Sequence, residues 1–124
     1  MTPKSLALAA ATVLASTGAA AAADVLFSPP LVPEGENTLD CYLVNVSNAP
    51  RHVKIEVFSR DGNVVEGGTI TTTLGPGQED VARATADLLP RYCKFTVQGK
   101  SRNFRASVLM RDETVGAISA LPAF

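Results

Sequence analysis

From Asp24 to the C-terminus, short runs of Val, Ile, Thr and aromatic residues alternate with clusters of Gly, Pro, Asn and Asp. No stretch repeats apolar residues at i, i+3, i+4 and i+7; the period is two, that of a strand with one buried face. His52 to Ser59 shows it most cleanly. Val53, Ile55 and Val57 fall on one side and His52, Lys54 and Glu56 on the other, with Phe58 interrupting the polar side. Arg60-Asp61-Gly62-Asn63 follows, and Asp-Gly between apolar runs predicts a two-residue hairpin turn. The chain returns over Val64 to Leu74, where Gly67-Gly68 predicts a bulge or a switch between sheets. The threonine-rich segment Thr69 to Thr73 suits an exposed edge. Gly75-Pro76-Gly77-Gln78 places Pro second and Gly third, which predicts a type II turn.

Beyond that turn, Val81 to Thr85 reads as a short strand and Asp87-Leu88-Leu89-Pro90 as a tight helical turn capped by Asp87. Arg91 to Gln98 is the next strand, with Cys93, Phe95 and Val97 inward. Asn103 to Met110 is expected to pair with it across Gly99-Lys100-Ser101-Arg102, placing Phe104, Ala106, Val108 and Met110 inward. Val115 to Leu121 is the last strand. Upstream lie Val25 to Ser28 and Thr38 to Ser47; the latter is apolar on both sides, as a central or covered strand is. Seven or eight short strands without a helix predict an all-β fold, an antiparallel two-sheet sandwich of immunoglobulin-like or fibronectin-III-like architecture. The buried Trp of antibody domains is absent, and Tyr92 stands immediately before Cys93 rather than two residues earlier, so the expectation concerns architecture and not antibody membership.

The N-terminus breaks the alternation. Lys4 precedes an almost unbroken apolar run, Leu6 to Ala15, and a small-residue tract, Gly18 to Ala23, ends at Ala21-Ala22-Ala23 before Asp24. This is the layout of a cleaved signal peptide. The run is Ala-rich and is broken by Ser16, Thr17 and Gly18, short of the about 20 residues a membrane span needs. The expected organisation is a signal peptide over residues 1–23 and one β-sandwich domain over residues 24–124, periplasmic or secreted, with no transmembrane segment after cleavage.

Removing Lys4 leaves 10 basic and 12 acidic residues, a balance that points away from nucleic acid as a partner. The chain holds two cysteines, Cys41 and Cys93, and an even count in an exported chain reads as a bridge. Two buried thiols, or a bridge to a partner, are the other readings. Three pieces, Cys41-x-x-x-Asn45-x-Ser47, Leu74-Gly75-Pro76-Gly77 and Tyr92-Cys93-x-Phe95-x-Val97 followed by Arg105-Ala106-Ser107, resemble a group of short secreted bacterial single-domain sandwich proteins of unknown function. The resemblance implies a fold and a disulfide, and it supplies no functional residue.

Candidate chemistry is sparse. His52 is the sole histidine, at the start of a strand with its ring predicted outward and no Gly-x-Ser-x-Gly elbow nearby, so a catalytic triad is not expected. One histidine and two cysteines expected to be bridged do not make a zinc site. Glu34, Glu36 and Asp40 lack the spacing of a calcium loop. No cofactor and no enzymatic activity are expected. Asn45-Val46-Ser47 matches a glycosylation sequon, but it lies inside a predicted strand and is read as chance. Phe27, Phe95 and Phe104 are expected in the core, leaving Tyr42, Tyr92 and Phe58 as surface aromatics. The clearest asymmetry is electrostatic. Arg91, Lys94, Lys100, Arg102, Arg105 and Arg111 include no acid among them, whereas Asp24 to Pro90 carries ten acids and four bases. Strand parity predicts Lys94, Arg105 and Arg111 on one face of a hairpin, with Lys100 and Arg102 in its loop. One reading of it is an anion-contacting surface; the other is the solvated face that discourages edge-to-edge pairing. The expected function is a non-enzymatic accessory or interaction protein of the bacterial envelope. The alternative is a binding module for carbohydrate or another anionic envelope polymer.

Overall fold

The computed structural model describes residues 22–32, 38–85, 90–112 and 116–124. Eight strands run in chain order: β1 (Ala23–Phe27), β2 (Thr38–Asn45), β3 (Arg51–Ser59), β4 (Val64–Leu74), β5 (Glu79–Thr85), β6 (Arg91–Gln98), β7 (Phe104–Asp112) and β8 (Gly116–Pro122). They form two antiparallel four-stranded sheets: sheet A in the order β1-β6-β3-β4 and sheet B in the order β5-β2-β7-β8. The fold is the all-β two-sheet sandwich expected from the alternation. The core is supplied by the inward positions of both sheets, among them Leu39, Leu43, Ile55, Val57, Phe95, Val97 and Val108, all fully buried. Along β6 buried and half-buried residues alternate without exception, because each successive side chain of a strand points to the opposite face.

Cys41 on β2 and Cys93 on β6 are bridged, with their Cα atoms 5.7 Å apart. The bond joins an interior strand of sheet B to an interior strand of sheet A. A second link is polar. Asn45, at the end of β2 and fully buried, donates from Nδ2 to Leu74 O at 2.8 Å and to Ala49 O at 2.9 Å. Its Oδ1 accepts from Ser47 N and Ser47 Oγ at 2.9 and 2.7 Å. Two donated and two accepted bonds use the whole capacity of the amide, and no free nitrogen is left for a glycan.

The turns follow their residues. Gln78 N donates to Gly75 O, and Gly77 takes φ of +75°, as the predicted type II turn requires. The β3–β4 connection differs from the two-residue turn expected. Gly62 N donates to Ser59 O, Ser59 N donates to Asn63 O, and Gly62 takes φ of +84°. This is a three-residue loop in which the glycine follows the turn proper in the left-handed conformation. The register between β3 and β4 shifts between Glu56 and Phe58, opposite the Gly67-Gly68 pair, so the expected bulge is present. β4 is an edge strand and β2 an interior one, as their compositions predicted. The predicted helical turn at Asp87 lies outside the described residues.

One pairing is corrected. β6 pairs with β1 and β3, whereas β7 pairs with β2 and β8, so the expected β6–β7 hairpin does not form. Gly99, at φ of +87°, and the 3-10 turn Ser101–Asn103 carry the chain from one sheet to the other. That crossing is tied down by Asp24 Oδ2, which accepts from Ser101 N at 2.8 Å, and by Val46 N, which donates to Asn103 O at 2.9 Å.

Candidate functional site

Because β6 and β7 belong to different sheets, the basic residues expected on one hairpin face are divided. Lys94 lies on the outer face of sheet A, half-buried. Arg105 and Arg111 lie on the outer face of sheet B, and Lys100 and Arg102 are exposed at the crossing. The continuous stripe Lys94–Arg105–Arg111 is therefore replaced by two separate surfaces of different chemistry.

On sheet A the outward positions run across the strands as Val25 and Phe27 on β1, Tyr92, Lys94, Thr96 and Gln98 on β6, His52, Lys54, Glu56 and Phe58 on β3, and Val64, Thr69, Thr71 and Thr73 on β4. Phe27 is 47% exposed, which corrects its expected place in the core. It sits instead beside Tyr92, with ring centroids 6.2 Å apart, and Tyr92 stacks on Phe58 at 5.5 Å. Lys94 Nζ lies 5.7 Å over the Phe58 ring, within the range of a cation–π contact. Phe95 and Phe104 are buried as expected. The same face also carries an open depression of about 240 Å³ near His52, Lys54, Thr71, Thr96 and Gln98. His52 Nδ1 lies 2.7 Å from Thr73 Oγ1 and its backbone N–H donates to Gln98 Oε1. The histidine is exposed near a strand end, where the sequence placed it.

On sheet B the centre of the outer face is a charge cluster that sequence reasoning missed. Asp40 points outward from β2 and is nevertheless 0% exposed, because long side chains from both neighbouring strands fold over it. Arg83 stands directly opposite on β5 and Arg111 diagonally on β7. Arg83 Nε lies 3.3 Å from Asp40 Oδ1 and Arg111 Nε 3.4 Å from Oδ2, while the two arginine side chains remain 53% and 41% exposed. Thr38 Oγ1 donates to Asp40 Oδ1 at 3.3 Å, and Arg111 Nη2 donates to Tyr42 Oη at 3.2 Å. The Tyr42 phenol, and then the Asp40 carboxylate, hold the Arg83 guanidinium charged above its ordinary range. The apolar reading of the outward side of β2 rested on Tyr42, Val44 and Val46 and passed over Asp40. An acid between two apolar-faced positions was the signal available. It is also held by two arginines, so its place in a calcium set does not stand; Glu34 and Glu36 lie outside the described residues.

Arg105 folds back on its own strand, donating from Nη1 to Arg102 O and Phe104 O. Among the described residues no three His, Cys, Asp or Glu side chains gather as a metal site, and no helix is long and apolar enough to cross a membrane.

No protein-family model and no curated protein matches the chain in sequence. In structure it is similar to the crystal structure of Thermotoga maritima 1070, with a TM-score of 0.56 and 11% identity over 81% of this chain and 91% of that one. At that identity the likeness bears on the fold alone.

Proposed function

We propose that this chain is an exported, non-enzymatic interaction protein of the bacterial envelope, and that a protein partner with an apolar contact surface docks on the outer face of sheet A. One observation carries the reading: the aromatic row Phe27, Tyr92 and Phe58, flanked by exposed Val25 and Val64. Large apolar side chains grouped on an open sheet face are the material of interface cores, where tyrosine and phenylalanine are enriched and charge is depleted. Lys94 over Phe58 and Glu56 beside Lys54 add a polar rim that orients what binds.

A photoreactive residue placed at Val64, on the rim of the row, is expected to capture one discrete envelope protein in cells. Phe27→Ala with Tyr92→Ala should abolish the capture while leaving the thermal melt nearly unchanged. Monomer alone, or equal capture from a photoreactive residue at Arg83 on the opposite face, removes the reading. Export has its own check: the intact mass should lack Met1 to Ala23 and show no free thiol.

A second reading, a binding module for an anionic envelope polymer, is favoured by a different observation, the excess of guanidinium over carboxylate at Arg83, Asp40 and Arg111.

A further inference from the structure

We infer that the outer face of sheet B holds an oxyanion site made of Arg83, Arg111 and Tyr42, and that it takes the carboxylates of an acidic polysaccharide. The inference rests on the second reading above and names its site and ligand class.

The first support is the position of Asp40. A carboxylate fully buried under an outward position of a sheet is a poor way to hold three strands together, since apolar cross-strand pairs do so without desolvating a charge. What the carboxylate does accomplish is orientation. It takes the Nε side of both guanidinium groups, so two long side chains lose their freedom before any ligand arrives, which lowers the entropic cost of binding. The second support is charge. Among the described residues Asp40 is the one carboxylate paired with Arg83 and Arg111, so this cluster carries one positive charge in excess, and of the five N–H donors of Arg111 one makes a hydrogen bond, to Tyr42. Planar guanidinium groups match the geometry of carboxylate oxygens.

The third support is shape. The pair lies on an open strand surface, and the depression near His52 is on the other sheet. A small free anion would gain little enclosure here, whereas an extended polymer presents many carboxylates in turn to the one arginine pair. Tyr42, half-buried and accepting from Arg111, adds to the cluster an aromatic ring with a polar edge, the kind of side chain on which a sugar ring stacks. That combination favours a carboxylated sugar chain over polyphosphate or an acidic peptide.

The test uses the processed full chain and immobilised polygalacturonate, with polyphosphate and polyglutamate as comparisons, at low and raised salt. Retention on polygalacturonate is expected to exceed the other two and to fall as salt rises. Arg83→Gln with Arg111→Gln should weaken it about tenfold or more, the loss of at least one charge-assisted hydrogen bond. Because that variant leaves Asp40 unpaired, Arg83→Lys with Arg111→Lys is the decisive partner: it keeps the charges and removes the guanidinium forks, and should still weaken binding several-fold. Arg60→Gln with Lys100→Gln makes the same change in net charge away from the site and should leave retention within about twofold. Retention on polygalacturonate that the lysine pair leaves unchanged keeps the module reading and overturns this site. Equal retention on polyglutamate or polyphosphate overturns the sugar ligand. No retention of the unmodified chain on any of the three overturns both.

Discussion

On sheet A the interior strand β3 turns Glu56 outward, 3.6 Å from Lys54 and directly opposite Lys94 on β6, and the neighbouring surface is aromatic. On sheet B the interior strand β2 turns Asp40 outward between two arginines, and the neighbouring surface is charged. Both carboxylates are buried at positions that alternation alone marks as exposed. They are covered in different ways. Glu56 is ion-paired to a lysine of its own strand beside an aromatic surface, whereas Asp40 is held between two arginines that reach over it from both neighbouring strands. A flat sheet face therefore gains chemistry in two manners: by leaving apolar area open, or by organising charge over a buried counter-ion. Only the first offers hydrophobic energy to a partner, and only the second offers direction and salt dependence.

The hardest way to break this comparison is to release the two sheets from each other. Cys41→Ala with Cys93→Ala removes a cross-link between residues 52 positions apart and should cost about 4 kcal/mol, read by chemical denaturation, with both faces loosened alike. Next is Asn45→Ala, which strips the amide that ties the end of β2 to Leu74 O. A loss of about 3 kcal/mol is expected, and a neutral result would show that water can replace the amide. The comparison itself is sharpened by Asp40→Ala against Glu56→Ala. Removing Asp40 leaves two arginines facing one another and should cost about 2 kcal/mol, discounted because both are partly solvated. Removing Glu56, whose lysine partner is half-exposed, should cost under about 1 kcal/mol. Equal losses would mean that the two carboxylates are covered in the same way after all. The smallest effect belongs to the edge. Thr71→Lys on β4 should change stability by no more than about 0.5 kcal/mol and reduce any self-association through that edge, visible by light scattering.

Much of the fold was legible in the chain. Strand positions, the type II turn at Gly75 to Gln78, the glycine bulge in β4, the edge character of Thr69 to Thr73 and the inward faces of β6 and β7 all follow from period-two alternation and from glycine and proline placement. The candidate sites were less legible. Phe27 read as core because a lone aromatic in a short apolar strand looks buried. Only its position on the sheet edge, outward beside Tyr92, exposes it. Arg83 was passed over because it stands alone in a mostly acidic stretch, 43 positions from Asp40, and nothing local marks the pair.

By itself, then, the sequence determined which segments form strands, where the chain turns, the buried side of β3, β6 and β7, and that two cysteines were available to join. Tertiary structure alone decided which sheet each strand enters, and hence that Lys94 faces away from Arg105 and Arg111 and that Asp40 meets Arg83. The physical reason is that alternation is a local, two-valued signal, inside or outside. Pairing β6 with β7, or sending them to opposite sheets, buries the same side chains, Cys93, Phe95 and Val97 with Phe104 and Val108. Local pattern cannot separate two arrangements with the same burial; the packing of distant strands does.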